Sequence, residues 1–366
     1  MRPSDDQILA AVDAGFEDQL TFLGELVAIP SQRGEEATAQ DAMARAFRTR
    51  GYQTEMWPID VDMIRDHPGF SPVTIDYENV FNVVATHRPR HETGRSLILN
   101  GHIDIVPTGP VEDWSRSPYD PHREGDWLYG RGSGDMKAGL TANLAALDAL
   151  RRLGLQPAAT VYLQSVSEEE CTGNGALACM ARGYTADAAI IPEPEDDKLV
   201  RANTGALWFQ VTVRGKPVHA REAGTGLNAI EATYTVIQAL RAMEAEHNTR
   251  KHNHRHFETL DHPINLNIGK IAGGDWASSV PSWCTIDCRL ALYPGVAAAD
   301  AMKEVEAVLA NVARSEPALS NTPPTVAWNG FTAEGYVLEE GTEAEATLAR
   351  AHLAAHGRDL ESFVTP

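Results

Sequence analysis

The sequence has no disulfide framework. Its four cysteines, Cys171, Cys179, Cys284 and Cys288, form no CxxC pair, so reduced packing thiols are expected and a cysteine zinc site is not. It also has no excess of basic charge: Lys and Arg total 31 against 51 Asp and Glu, a formal net charge of −20. Such a surface repels nucleic-acid phosphates and anionic membranes, and no basic stripe with interleaved aromatics offsets it. No run approaches the ~18 apolar residues of a membrane span, and the start MRPSDDQILAAVDAGF carries early acids without a signal-peptide core. A soluble cytoplasmic protein with no nucleic-acid or membrane partner is the expectation. No repeat or low-complexity segment appears either.

What is there is enough chain for two cores: 366 residues, 43% of them apolar, favour two domains over one. Chemistry gathers between Leu99 and Gly139. The apolar run SLILN reads as a buried strand that delivers His102 and Asp104 at its end, where alternate residues point the same way. A neutral imidazole there suits zinc, with Asp104 accepting the proton of the other ring nitrogen. Asp135 follows in GRGSGD, whose glycines suit a tight turn, and stands before the helix AGLTANLAALDALRRLG, near its positive end. Taken singly, Asp135 reads as a helix cap and His102 as a satisfied core histidine; together they are harder to dismiss, because each unpaired polar group would be costly at a buried strand end. The next strand, ATVYLQSV, ends in Glu168, Glu169 and Glu170, three adjacent acids that repel one another. A cation resolves that repulsion by binding one carboxylate and leaving a neighbour as general base. ADAAIIPEP adds a further strand with Glu193 at its end. His102, Asp135, Glu170 and Glu193 thus occupy four strand-end or loop positions along the edge where open α/β sheets build active sites.

Around these residues, helices are expected over 4–29 and from Glu36 to Arg50, strands over Tyr52–Trp57 and Asn82–Ala85, and a surface excursion over Asp60–Asp76. From Thr204 the pattern changes. GALWFQVTVRGKPVHA, the amphipathic helix GLNAIEATYTVIQALRAMEAE, INLNIGKIAGG, SWCTIDCRLALYP, the helix AADAMKEVEAVLANVA and a strand near Thr325–Trp328 read as strand-helix-strand-strand-helix-strand, the split βαβ or ferredoxin-like arrangement. In WCTIDCRL the period places Cys284 and Cys288 on one buried face. His252, His254 and His256 lie in the loop-like, basic RKHNHRHFETLDHP, which reads as solvated loop rather than metal site.

GHIDIVP, YGRGSGDMKAG, SEEECTGNG and IPEP, in this order, resemble peptidase family M20, especially its acetylornithine deacetylase and succinyl-diaminopimelate desuccinylase branch of zinc deacylases. The resemblance implies a mixed-sheet α/β catalytic domain at 1–203, an inserted dimerisation or lid domain at 204–330, and a return to the catalytic domain at 331–366. It implies two Zn²⁺ per subunit, with Co²⁺ as a substitute, and a homodimer. His102 and Glu193 would hold the first metal, Asp135 would bridge, Glu170 would hold the second, Asp104 would orient His102 and Glu169 would act as base. A shift of one residue would instead make Glu168 the base and Glu169 the ligand, with Glu170 a bystander. His219 in GKPVHA, otherwise an ordinary structural histidine, matches a histidine that stabilises the developing oxyanion, commonly across the dimer. Arg289 matches an arginine that engages a substrate carboxylate, and Asn267 is a polar substrate contact; Ser278-Ser279 stand where the family often has asparagine. The implied reaction is hydrolysis of an N-acyl amino acid, acetylornithine-like first and succinyl-diaminopimelate-like second, with aminopeptidase activity or an inactive metal-binding or dimeric fragment as alternatives. After the helix Glu343–His356 the chain ends at SFVTP, where family members usually continue through a strand, a glycine-rich loop and a histidine for the second metal; an incomplete C-terminal segment with impaired activity is the expectation.

Overall fold

The structure, a computed structural model, describes residues 3–366 and divides into two compact units. One holds the chain up to Phe70 with Ile75–Leu199 and Glu339–Glu361; the other holds Ser71–Thr74, Val200–Leu338 and Ser362–Pro366.

The first unit begins with helices α1 (Asp5–Asp13), α2 (Phe16–Val27) and α3 (Ala37–Thr49). The single helix expected over 4–29 starts at a capping box, in which Ser4 and Gln7 bond each other's backbone N–H groups. It breaks at Gly15, whose missing side chain leaves room for the Arg152 guanidinium. Next come β1 (Gln53–Pro58), the short α4 (Val61–Ile64), β2 (Phe81–His87), β3 (Leu97–His102), the hairpin of β4 (His122–Glu124) and β5 (Trp127–Tyr129), α5 (Lys137–Arg152), β6 (Val161–Val166), α6 (Asn174–Ala181) and β7 (Ala188–Ile190). The stretch 60–76 is more than an excursion, since it folds α4 and buries Ile64 fully.

Five strands form one mixed sheet in the order β1-β2-β6-β3-β7. β1-β2 and β2-β6 are antiparallel; β6-β3 and β3-β7 are parallel. The alternation of a strand sorts its two faces. Val83, Ala85, Leu99 and Leu163 pack with Leu26 of α2, Met43 and Phe47 of α3, and Leu140, Leu144 and Leu147 of α5. Val84 and Val166 pack with Trp57 and Cys179 on the opposite face. The parallel strands β3 and β6 therefore run between two covered faces, and their C-terminal ends are the position that a doubly covered α/β sheet offers to a ligand.

The second unit contains β8 (Leu199–Asn203), β9 (Gly205–Arg214), α7 (Ala229–Thr249), β10 (Leu266–Gly273), β11 (Trp283–Leu292), α8 (Ala298–Ser315), β12 (Thr325–Ala333) and β13 (Tyr336–Val337). Its antiparallel sheet has the order β10-β11-β9-β12, which together with α7 and α8 gives the split βαβ arrangement. α7 and α8 cover the face formed by Leu207, Phe209, Val211, Cys284, Ile286 and Cys288. The chain then forms α9 (Glu343–His356) in the first unit and β14 (Ser362–Thr365) in the second. The unit boundaries lie at 200 and 338 rather than at 204 and 330, and 362–366 joins the second unit where the first domain was expected. The cause is strand pairing: β13 and β14 flank β8 in a small third sheet. Among the described residues no helix is long and apolar enough to cross a membrane.

Candidate metal centre

β3 ends at His102, which is 1% exposed. Its Nδ1 faces the backbone carbonyl of Asp104 at 2.8 Å, while the Asp104 carboxylate stands 3.5 Å away. The carbonyl is thus the nearer orienting group, where the sequence pointed to the carboxylate. That carboxylate accepts the backbone N–H groups of Glu169 (3.3 Å) and Glu170 (3.0 Å), so Asp104 fixes the start of the acidic loop after β6.

The other ring nitrogen, Nε2, faces the expected acids. Asp135 Oδ1 lies at 3.0 Å, Glu169 Oε2 at 3.8 Å and Glu193 Oε1 at 3.8 Å. Donor atoms of His102, Asp135 and Glu170 all lie within 4.8 Å of one another, the one such group of three among the described residues. Asp135 precedes the cap of α5. Behind it Lys137 is fully buried and donates to the carbonyls of Leu26 (2.8 Å) and Ile29 (3.0 Å), and burial pushes its pKa down to about 8. Two glycines bring the remaining loops close. A Cβ on Gly139 of α5 would stand 2.3 Å from the Pro192 carbonyl, next to Glu193, and one on Gly175 of α6 would stand 2.0 Å from the Ser167 carbonyl at the end of β6.

The electrostatics are those of a cation site. Burial, reinforced by neighbouring carboxylates, raises Glu169, Glu170 and Glu193 each to about 7. Burial opposes a charged His102, yet Asp104 and Asp135 outweigh it and hold the imidazolium up to about 12. The bond from His102 in turn lowers Asp135. A proton on His102 is a poor answer to four carboxyl groups in one cleft; a divalent cation bound by oxygen and imidazole is the answer this donor set fits.

Glu168 is absent from this group. It is fully buried, its backbone is left-handed (φ 66°), and its carboxylate accepts from Arg33 Nη2 (2.9 Å), Thr172 Oγ1 (3.0 Å) and Tyr77 Oη. Held there, it is turned away from the group around His102, and Glu169 and Glu170 are the acids that reach it. Arg33 and Tyr77 were missed from sequence; SQRGEE and IDYENV carry no signal beyond loop composition.

In the second unit, His219 is exposed and caps a 3₁₀ turn through Nδ1, which accepts the Arg221 N–H at 3.1 Å. Its backbone bridges to Ser279, so GKPVHA and SSVP meet. Asn267 and Arg289 are direct cross-strand partners of β10 and β11, on the sheet face away from the core. Burial lowers the half-buried Arg289 guanidinium, which has no ion-pair or hydrogen-bond partner among the described residues. His254 stacks on Tyr293 at 3.8 Å, away from any ligand group.

The sequence profile described as peptidase family M20/M25/M40 matches residues 98–347. The chain belongs to peptidase family M20. This M20 protein is 27% identical to the N-formyl-4-amino-5-aminomethyl-2-methylpyrimidine deformylase of Halalkalibacterium halodurans, over 98% of this chain and 84% of that one. It is 31% identical to the acetylornithine deacetylase of Erwinia tasmaniensis over 69% of this chain and 60% of that one. Its fold matches human carnosine dipeptidase 1 with a TM-score of 0.75 at 15% identity, over 100% of this chain and 88% of that one. Family and donor set together make it a zinc-dependent amidohydrolase that cleaves amide bonds of small substrates.

Proposed function

We propose that this M20 chain removes the acyl group of an N-acyl amino acid, with N-acetylornithine-like substrates first and N-succinyl-diaminopimelate-like ones second. The observation that carries the substrate class is Arg289: a half-buried guanidinium without an anionic partner among the described residues calls for a carboxylate, which its planar fork receives at two points. Asn267, its cross-strand neighbour, supplies an amide beside it. His102 and Glu193 would hold one Zn²⁺ and Glu170 a second, with Asp135 serving both, and Co²⁺ would substitute for either. A metal held there would supply Lewis acidity and lower the pKa of water toward about 7. Glu169 takes the proton of the attacking water and returns it to the amine leaving group, a task suited to a carboxyl near neutrality. His219 donates to the developing oxyanion, and the working form is a homodimer.

A second reading is deformylation of a carboxylate-free amine, favoured by the relative that covers 98% of the chain. The test measures kcat/KM on N-acetylornithine, N-succinyl-diaminopimelate, an N-formyl aminomethylpyrimidine and a free dipeptide, with the wild type and Arg289→Met. Preference for an N-acyl amino acid that is lost in Arg289→Met is the expected result. A tenfold preference for the formyl pyrimidine, indifferent to Arg289, overturns it in favour of the second reading; preference for the dipeptide points to an aminopeptidase, and metal binding without turnover to an inactive fragment.

A further inference from the structure

The acidic loop has two anchors, and only one belongs to the metal centre. On the centre's side, the Asp104 carboxylate holds the N–H groups of Glu169 and Glu170. On the far side, Glu168 turns the opposite way into a closed polar cluster. Arg33, from the loop between α2 and α3, meets both of its carboxylate oxygens. Tyr77, from the loop before β2, donates to the same carboxylate and lies 3.3 Å from both Thr172 Oγ1 and Asn174 Nδ2. The Glu168 carbonyl then accepts the N–H groups of Thr172 (3.0 Å) and Gly173 (2.8 Å), closing the turn into α6. Three successive residues therefore have divided roles: Glu168 faces inward, and Glu169 and Glu170 face the cleft.

We propose that Arg33 is a positioning residue for this enzyme, its two-point ion pair with Glu168 fixing the turn that aims Glu169 at the reacting proton. The inference rests on the reading of Glu169 as the base. Its physical ground is that a side chain must sit within hydrogen-bond reach of the proton it takes, and that a shift of about 1 Å at such a group costs up to about 100-fold in rate. A Glu left to itself in the left-handed region relaxes toward ordinary backbone, and its neighbours rotate with it. Arg33 is suited to hold it because the guanidinium fork fixes the direction of the carboxylate as well as its position, which a lysine ammonium does not.

The experiment compares the zinc-loaded wild type with Arg33→Met and with Arg33→Met/Glu168→Gln. The double variant removes the buried charge together with its partner, so it remains informative if the single variant fails to fold. Two quantities are read: kcat per bound metal, and amide hydrogen exchange of residues 168–173 in the metal-free protein. Expected in the double variant are a kcat at least about fivefold lower and exchange at least about tenfold faster, confined to that segment while the central sheet keeps its protection. A smaller fall in kcat, or unchanged exchange at 168–173, overturns the proposal. So does faster exchange throughout the sheet, which marks Arg33 as a general stabilising contact. If the wild type hydrolyses none of the substrates above, the functional reading falls, and the exchange measurement still decides whether Arg33 sets the turn.

Discussion

Gly139→Ala sets two effects of opposite sign against each other. Gly139 lies in the first turn of α5, and at an exposed helical site alanine would stabilise the helix by about 1 kcal/mol. Here the added Cβ would stand 2.3 Å from the Pro192 carbonyl oxygen, and 2.9 Å from the Met136 side chain. Real Cβ atoms essentially never come within 3.0 Å of such atoms, so helix or loop must give by about 0.7 Å. The Met136 side chain yields, but Pro192 is backbone and the next residue is Glu193, whose carboxylate stands 3.8 Å from His102 Nε2. Overpacking costs about 1–3 kcal/mol and outweighs the propensity gain, for a net loss of about 1 kcal/mol or a Tm lower by about 2–4 °C. The larger effect is on the metal, with affinity lower by about 10–100-fold, the size found when a group supporting a ligand is moved. Thermal unfolding with and without zinc, and competitive zinc titration, read the two effects separately. A Gly139→Ala protein that melts higher than wild type and binds zinc as tightly would refute the claim that close backbone approach at this glycine places Glu193.

Four further outcomes are expected. Glu169→Gln lowers kcat by about 10²–10⁴-fold while leaving metal bound; loss of metal with the base retained elsewhere would be seen by elemental analysis. Chelation makes stability pH-sensitive: Glu169, Glu170 and Glu193 sit near 7 in the metal-free fold, above their unfolded value, so their contribution is fully present below about 4.5 and is lost as pH rises through 7. The metal-free Tm should therefore fall between pH 5 and pH 8 relative to the zinc-loaded Tm, with proton release on zinc binding near pH 6 by calorimetry in two buffers. Arg289→Met raises KM for N-acyl amino acids by about tenfold or more, as expected for loss of a charge-assisted pair, in steady-state assays that include a substrate without a carboxylate as control. Sedimentation at micromolar concentration should give a dimer, because β10 is an open sheet edge and Tyr234, Ile271 and Trp276 are exposed in the same unit.

The sequence was most legible where one periodicity governs a whole element. α5 repeats its apolar residues at helical spacing and buries Leu140, Leu144 and Leu147; β11 alternates and buries Cys284, Ile286, Cys288 and Leu290. The alternating strands and helices between 205 and 333 fixed the split βαβ arrangement for the same reason. The break at Gly15 is hidden inside the expected first helix because one glycine is tolerated by helical periodicity; the Arg152 guanidinium that lies against it comes from more than a hundred residues away. The ends of the second unit are harder to read, because β13 and β14 are short strands held by their pairing to β8, a partner that a local pattern does not reveal.

The metal centre divides along the same line. Side chains at the ends of buried strands advertise themselves, since polar groups there need a reason, and His102, Asp135, Glu170 and Glu193 are brought together with Glu169. What the sequence does not reveal is how each is aimed, because aiming depends on groups whose own composition is unremarkable. The sequence pairs Asp104 with the imidazole two residues before it, yet in the structure the nearer partner of Nδ1 is the Asp104 carbonyl, while the carboxylate also gathers two N–H groups from a loop more than sixty residues on. The choice among three consecutive glutamates shows the limit more sharply. Nothing in SEEE distinguishes them, and the residues that do, Arg33 and Tyr77, come from two unrelated loops that read only as polar. The run of like charges is divided by a partly exposed cation: with Arg33 paired to the buried Glu168, Glu169 and Glu170 lie toward His102 and Asp135.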